Sequence, residues 1–85
     1  MLNKYSVNVI MYTCSLDEQT MGEGCSMGYV FKSKEEAVDQ FNFLYTKLLY
    51  GMGNDKVFKK DEKFCFRKKY EDYYKYWYVV IIQLN

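Results

Sequence analysis

The sequence predicts a small α+β domain in which four antiparallel strands form one sheet and a single helix packs across one face of it. Two observations support this class. Several short segments alternate apolar and polar residues, as half-buried strands do, and one segment repeats its apolar residues at helical spacing. A chain of 85 residues has room for one hydrophobic core, so we expect a single domain over residues 1–85.

The first predicted strand covers residues 5–12, where apolar and polar side chains alternate. Residues 13–28 are polar, contain three glycines and show no periodicity, which predicts a long connecting loop. Loops of that length in small domains are usually functional or disordered. A short second strand is expected at residues 29–31, where Tyr, Val and Phe follow one another.

The helix is predicted from a capping box at Ser33-Lys34-Glu35-Glu36. The Ser33 hydroxyl can accept a hydrogen bond from the Glu36 backbone N–H, and the Glu36 side chain can reach back to Ser33. Apolar residues then recur at helical spacing, at Ala37, Val38, Phe41, Leu44, Tyr45, Leu48 and Leu49. The helix should therefore run from residue 34 to about residue 50, with Gly51 as a left-handed cap.

The second half of the chain predicts two more strands, which gives the order ββαββ. Residues 63–67 alternate and form the third strand, with residue 70 as its outer limit, and residues 73–84 form a long final strand. Glu71-Asp72 is the expected hairpin turn between them. Residues 79–82 are apolar on both faces, which favours a central place in the sheet. Val57-Phe58 either begins a strand or only leads into one.

The sheet face away from the helix is expected to carry aromatic side chains. The predicted set is Tyr12, Tyr74, Tyr76 and Tyr78, or their sequence neighbours, because a one-residue slip of register exchanges the two faces of a strand.

Residues 70–78 hold a concentration of aromatic residues that exceeds what one strand of a small domain can bury. They comprise Tyr70, Tyr73, Tyr74, Tyr76, Tyr78 and Trp77, the only tryptophan. Tyr and Trp are enriched in protein interfaces, so we expect these residues to bind a partner protein. Asp17, Glu18 and Glu23, which fall in the predicted loop, are added to this site. The alternative is that the tyrosines only lie flat over the sheet.

The basic stretch at residues 56–69 indicates a second function, the binding of single-stranded nucleic acid. Lysines that contact phosphates beside aromatic platforms are typical of such proteins. The residues of this alternative site are Lys59, Lys60, Lys63, Arg67, Lys68 and Lys69. Asp61 and Glu62 interrupt the stretch and would repel phosphate, so nucleic acid ranks below a protein partner.

Enzymatic chemistry is not indicated by the sequence. The chain has no His, the commonest general base at neutral pH, and its three cysteines make a poor zinc set. We therefore expect no catalytic residues, no metal and no cofactor. An odd number of cysteines without a CxxC pair favours reduced thiols in the cytoplasm, although a Cys14–Cys25 bridge stays open.

The expected role is that of a small inhibitor encoded by a phage or a mobile element. No secretory signal or membrane span is expected, so the predicted compartment is the host cytoplasm. The chain lacks Pro and is rich in Lys, Tyr, Asn, Phe and Ile, a composition typical of AT-rich coding sequences. In general character it resembles anti-CRISPR and other anti-defence proteins, a resemblance of type that no motif carries. It implies steric occlusion of a host protein, such as a nuclease or another defence effector. A homodimer contact at a sheet face or a free edge is also considered.

Overall fold

The computed structural model describes residues 4–84 and contains five strands and one helix in the order ββαβββ. Their bounds are β1 Lys4–Ser15, β2 Met21–Phe31, α1 Lys34–Leu49, β3 Asn54–Lys59, β4 Lys63–Lys69 and β5 Tyr73–Leu84. Every pairing is antiparallel, and the order across the sheet is β2-β1-β5-β4-β3. The α+β class with one helix and one antiparallel sheet is confirmed. The predicted four strands and ββαββ order are corrected to five strands and ββαβββ, and β5 occupies the central position.

The predicted loop at residues 13–28 is wrong, because most of it forms a hairpin of β1 and β2. β1 continues to Ser15 and β2 begins at Met21. Glycine carries no side chain, so a glycine-rich strand shows no periodicity in the sequence. At Gly24 a Cβ atom would lie 2.6 Å from the Met11 carbonyl oxygen and 3.0 Å from the Tyr12 Cβ atom. The close approach of the β1 backbone therefore requires a glycine in this strand.

The additional strand is β3, which the sequence indicated only at Val57-Phe58. Its pairing with β4 is irregular between Lys56 and Phe58, and a bulge there breaks the alternation that identifies a strand. The turn that follows, at residues 61–62, has the Lys60 N–H donating to the Lys63 carbonyl oxygen at 2.8 Å.

The predicted turn at Glu71-Asp72 is confirmed. The Tyr70 N–H donates to the Tyr73 carbonyl oxygen at 2.8 Å across it. Neither Glu71 nor Asp72 has a positive φ, so the turn does not need the Asn-Gly or Asp-Gly pair of a type I′ hairpin.

The helix begins as predicted and ends by a different mechanism. The Ser33 hydroxyl accepts the Glu36 N–H at 3.2 Å, which confirms the N-cap. The left-handed cap at Gly51 is wrong, because the glycine with positive φ is Gly53, at 77°. The Asn54 side-chain amide instead donates to the Leu48 carbonyl oxygen at 3.0 Å. A Cβ atom on Gly51 would lie 2.2 Å from that amide nitrogen, so glycine leaves room for the cap.

The hydrophobic core lies between α1 and one half of the sheet. Its buried members are Val7, Val9, Ala37, Phe41, Phe64, Phe66, Val79 and Ile81. Aromatic edge-to-face contacts fill its centre, with 4.9 Å between the ring centroids of Phe41 and Phe64. No helix within residues 4–84 is long and apolar enough to cross a membrane.

The helix is too short to cover the whole sheet. Its 16 residues span about 24 Å, whereas the 12 residues of β1 or β5 span about 40 Å. The chain is accordingly elongated, with extents of 48 × 24 × 17 Å. The β1–β2 hairpin and the β4–β5 turn project beyond the helix.

Candidate functional site

The register of β1 against β5 determines which aromatic side chains share a face. Val9 lies opposite Val79, and Tyr12 lies opposite Tyr76. Opposed residues of neighbouring strands point to the same face, and successive residues alternate. Val9 and Val79 pack under the helix, so Tyr12 and Tyr76 lie on the other face, which we call the open face. No helix or strand of residues 4–84 covers it.

The open face carries a row of five half-buried rings, which form two contact groups. It includes the four tyrosines predicted for one face and adds one phenylalanine from β3. The Tyr12 and Tyr76 rings stack in parallel, with centroids 4.9 Å apart. Tyr74 meets Tyr76 at 6.3 Å, and Phe58 meets Tyr78 edge-to-face at 6.0 Å. We call these five residues the aromatic row.

A polar cluster restrains one end of the aromatic row. Glu18 lies in the turn between β1 and β2 with φ 61°, a conformation uncommon outside glycine. Its carboxylate accepts the Tyr76 hydroxyl at 2.8 Å and the Arg67 guanidinium at 2.9 Å. The Arg67 guanidinium also lies 4.8 Å from the centre of the Tyr74 ring. The cluster therefore ties the β1–β2 turn to β4 and β5.

Two phenols of the row, those of Tyr12 and Tyr76, have a raised pKa. Burial raises the pKa of Tyr76 above its usual 10.0; the hydrogen bond to Glu18 raises it further, whereas the Arg67 guanidinium opposes the change. Burial likewise raises the pKa of Tyr12. Both hydroxyls therefore remain protonated at neutral pH and can donate hydrogen bonds.

The three predicted acidic residues do not form one surface. The Asp17 carboxylate accepts the Ser15 hydroxyl and the Gln19 N–H, and these bonds lower the pKa of Asp17. Glu18 belongs to the polar cluster. Glu23 lies on β2 with Lys75 in the lining of a shallow pocket of about 310 Å³ on the helix side of the sheet.

The aromatic block at residues 70–78 is divided between two faces. Tyr74, Tyr76 and Tyr78 lie in the aromatic row. Trp77 points to the helix side, where it packs against the core and has the Lys75 ammonium 5.2 Å from its ring.

Tyr70 and Tyr73 form a separate pair at the β4–β5 turn. Their rings stack 4.9 Å apart, and the Lys68 ammonium lies 5.2 Å from the Tyr70 ring. The two tyrosines are therefore positioned to act apart from the row.

The residues of the alternative nucleic-acid site are also divided. Lys63, Arg67 and Lys69 alternate on the open face of β4, but Arg67 is paired with Glu18. Lys59 lies over the Tyr45 ring on the helix side, with 5.1 Å between the ammonium and the ring centre. Lys68 shares the helix side, and Lys60 lies at the β3–β4 turn. The basic stretch therefore does not make one continuous surface.

The cysteines are free, so the alternative of a Cys14–Cys25 bridge is not realised. Cys14 lies opposite Tyr74 on the open face, whereas Cys25 lies opposite Met11 on the helix side, so the two side chains point away from each other. Cys14 and Cys65 are buried and Cys25 is exposed. Burial raises the pKa of Cys65 to about 11.

Sequence reasoning missed Phe58 in the row and the pairing of Glu18 with Arg67. Because of the bulge, alternation along β3 does not show on which face of the sheet Phe58 lies. Glu18 and Arg67 are 49 positions apart, so their contact leaves no local signal in the sequence. Within residues 4–84, no three metal-binding side chains of the His, Cys, Asp or Glu type gather in one place.

Comparison of the chain with protein-family models, with curated proteins and with solved structures gives no match. Function is therefore inferred from the geometry of this chain alone.

We expect one fast-reacting thiol in the native protein, that of Cys25. Cys14 and Cys65 are buried, and Cys65 with a pKa of about 11 forms little thiolate near neutral pH. Stopped-flow titration with Ellman's reagent measures this. Cys25→Ser should remove the fast phase and Cys14→Ser should leave it. Two fast equivalents in the wild type would contradict the placement of the thiols.

Replacing Glu18 with Gln should lower the pKa of Tyr76, because the carboxylate that accepts its hydroxyl opposes phenolate formation. NMR of carbon-13-labelled tyrosine against pH measures the change, and Glu23→Gln is the matched control. A raised pKa in the folded state gives stability that is present below pH 10.0 and lost as pH rises through the folded-state value. Glu18→Gln should therefore reduce the alkaline loss of stability. An unchanged Tyr76 titration would show that the hydrogen bond does not form in solution.

Proposed function

We propose that this chain is a non-enzymatic protein-binding protein. Its open face docks on a partner protein and occludes a functional surface of that partner. The observation that carries the proposal is the aromatic row, five rings in two contact groups on one sheet face that no described element covers. The small size and the composition of the chain favour a phage or mobile-element inhibitor, with a host defence protein as its target.

The apolar character of the open face supports a macromolecular partner. An antiparallel sheet can leave one face in water, but that face is then normally polar. Here Val30 is 62%, Ile82 44% and Ile10 38% exposed on the same face as the row. Ile10 lies opposite Tyr78 of the row, whereas Ser6 separates Val30 from Ile82. Exposed apolar surface next to the row supports an interaction site there.

The restraint on the rings also favours binding. Association costs free energy for each side chain that becomes ordered. The Tyr12–Tyr76 stack and the Glu18 hydrogen bond already hold these rings in place, so this cost is reduced. Tyrosine adds a hydroxyl that can form a hydrogen bond at the rim of an interface.

A protein partner is favoured over single-stranded nucleic acid because the ring faces are already occupied. Bases stack on free aromatic faces. Tyr12 and Tyr76 each cover one face of the other, and Arg67 covers a face of Tyr74. The lysines that would contact phosphates are divided between the two sides of the sheet.

The charges beside the row indicate the chemistry of the partner surface. Lys63 and Lys69 form no ion pair within residues 4–84, whereas Arg67 is neutralised by Glu18. An apolar patch with acidic groups at its rim would complement this face. A basic groove on a nuclease, which Asp17, Glu18 and Glu23 would have to fit together, has less support as the target because the three carboxylates lie apart.

A non-catalytic role is consistent with the chemistry of the groups around the row. Cys65 lies opposite Tyr78, and the pKa of its buried thiol is raised to about 11. That shift disfavours the thiolate that a nucleophile requires.

The proposal predicts that truncation of two row tyrosines strongly weakens partner capture. The variant is Tyr12→Ala/Tyr78→Ala, and the matched control is Tyr70→Ala/Tyr73→Ala, which removes two tyrosines outside the row. Tagged proteins are used for pull-down from a nuclease-treated host lysate with a high-salt wash, and circular dichroism checks that each is folded. One stoichiometric protein should bind wild type and control, with at least about 30-fold weaker binding to the row variant, as for a hot spot of 2 kcal/mol.

Two results would contradict the proposal. The first is equal capture of the partner by the row variant and the control. The second is loss of all protein partners after nuclease treatment together with tight binding of a fluorescent oligo-dT. An affinity for oligo-dT that falls with salt at a log–log slope near −0.7 per phosphate would then support single-strand binding.

A further inference from the structure

The two edges of the sheet differ in how well they are protected against pairing with another strand. β2 and β3 are the edge strands, with 11 and 6 residues respectively. An edge strand exposes a row of unpaired N–H and C=O groups, which proteins usually block with lysines, bulges or short length. β3 has all three devices: it is short, it contains a bulge next to Lys56, and it carries Lys56 and Lys59.

The hydrogen-bond alternation shows which backbone groups are free at the β2 edge. The Ile81 N–H donates to the Glu62 carbonyl oxygen at 2.9 Å, so odd-numbered residues of β5 bond to β4 and even-numbered residues bond to β1. In β1 the even-numbered residues are then used by β5, and the odd-numbered residues bond to β2.

This alternation continues into β2. Tyr29 and Met27 lie opposite the odd-numbered residues Val7 and Val9, so they bond inward. The residues that direct N–H and C=O outward are therefore Gly24, Ser26, Gly28 and Val30. Their side chains are small at the first three positions, which leaves the backbone accessible.

From Gly24 onward, β2 has none of the features that usually block an edge strand from pairing. Residues 21–31 contain no Lys, no Arg and no Pro, and Glu23 is their one charge. The register irregularity of the β1–β2 pair lies near the turn, between Tyr12 and Cys14. The edge from Gly24 to Val30 is thus regular and open. On β3, by the same alternation, the outward backbone positions include both lysines.

We propose that the β2 edge pairs with the β2 edge of a second copy of this chain, in antiparallel orientation about a twofold axis near Ser26. The two five-stranded sheets then form one continuous sheet. The proposal does not depend on the proposed function, because it uses the edge of the sheet and leaves the aromatic row free.

Charge complementarity favours a second copy as the occupant. Exposed Glu23 lies near one end of β2, and exposed Lys32 follows its other end. Antiparallel self-pairing about Ser26 sets Glu23 of each strand opposite Tyr29 of the other, with Lys32 three residues, about 10 Å, further along. Opposite charges therefore lie at the same end of the paired strands, twice in one dimer.

Apolar side chains beside the edge would also be covered in the dimer. Met27 is 46% and Tyr29 is 41% exposed on the helix side of β2. In a twofold pair centred near Ser26, these side chains lie next to Cys25 and Glu23 of the other copy. Both copies gain the same contacts, as an isologous interface requires.

Analytical ultracentrifugation of the full chain over a range of concentrations tests the proposal. Ser26→Pro removes an N–H that points outward, so it should block the edge without removing a bond to β1. Ser26→Lys places a lysine at the edge, as β3 does, and serves as a second variant. Ser26→Ala keeps the N–H and is the matched control. Circular dichroism confirms that each variant is folded.

We expect a dimer for the wild type and for Ser26→Ala, and a dissociation constant raised about 100-fold or more for a folded Ser26→Pro or Ser26→Lys. A wild type that remains monomeric at every concentration would overturn the proposal. It would do so even if that monomer bound a foreign extended peptide at the same edge. A dimer that survives both edge variants would also overturn it, because the contact would then lie on another surface.

Discussion

The pairing of β1 with β5 is the constraint on which the rest of the structure depends. These two strands of 12 residues each run side by side through the centre of the sheet. Their register places Val9 and Val79 under the helix and Tyr12 and Tyr76 on the open face. A slip of one residue would exchange these sets and expose the valines. Since a buried Val, Leu or Phe contributes roughly 1.5–3 kcal/mol, the helix-side core strongly favours the observed register.

The same register creates the surfaces that remain uncovered. One short helix covers half of one face, so the other face and the β2 edge are left to water or to partners. A chain of this size buries only about 60–65% of its unfolded surface, so modest stability is expected. Any partner that binds only the folded state adds stability by mass action. Association at the aromatic row or at the free edge, as proposed, would therefore stabilise the fold.

The sequence predicts those parts of the fold that are encoded locally. The capping box at Ser33 and the helical spacing identify α1, and the run of aromatic and β-branched residues at 73–84 identifies β5 with its bounds. Most of β2 is not predicted because its glycines show no hydrophobic pattern. β3 is not predicted as a strand because its bulge breaks the alternation. In both, pairing with a neighbouring strand decides the structure.

The candidate site is predictable to the same extent. The four tyrosines of the open face follow from alternation once the register is known. The Glu18 contacts with Arg67 and Tyr76 join residues 49 and 58 positions apart. They depend on the β1–β2 turn, which the sequence analysis placed inside a predicted long loop. The separation of Tyr70, Tyr73 and Trp77 from the row likewise requires the register and the position of the helix.

The β1–β5 register can be measured directly by NMR. In an antiparallel sheet, opposed residues that do not exchange hydrogen bonds bring their Cα atoms to about 4.5 Å, which gives strong Hα–Hα NOEs. Val9 with Val79, and Met11 with Trp77, are such pairs. We predict strong Hα–Hα NOEs for both. NOEs that instead join Val9 to Tyr78 or Val80 would contradict the register, and with it the assignment of the tyrosines to the open face.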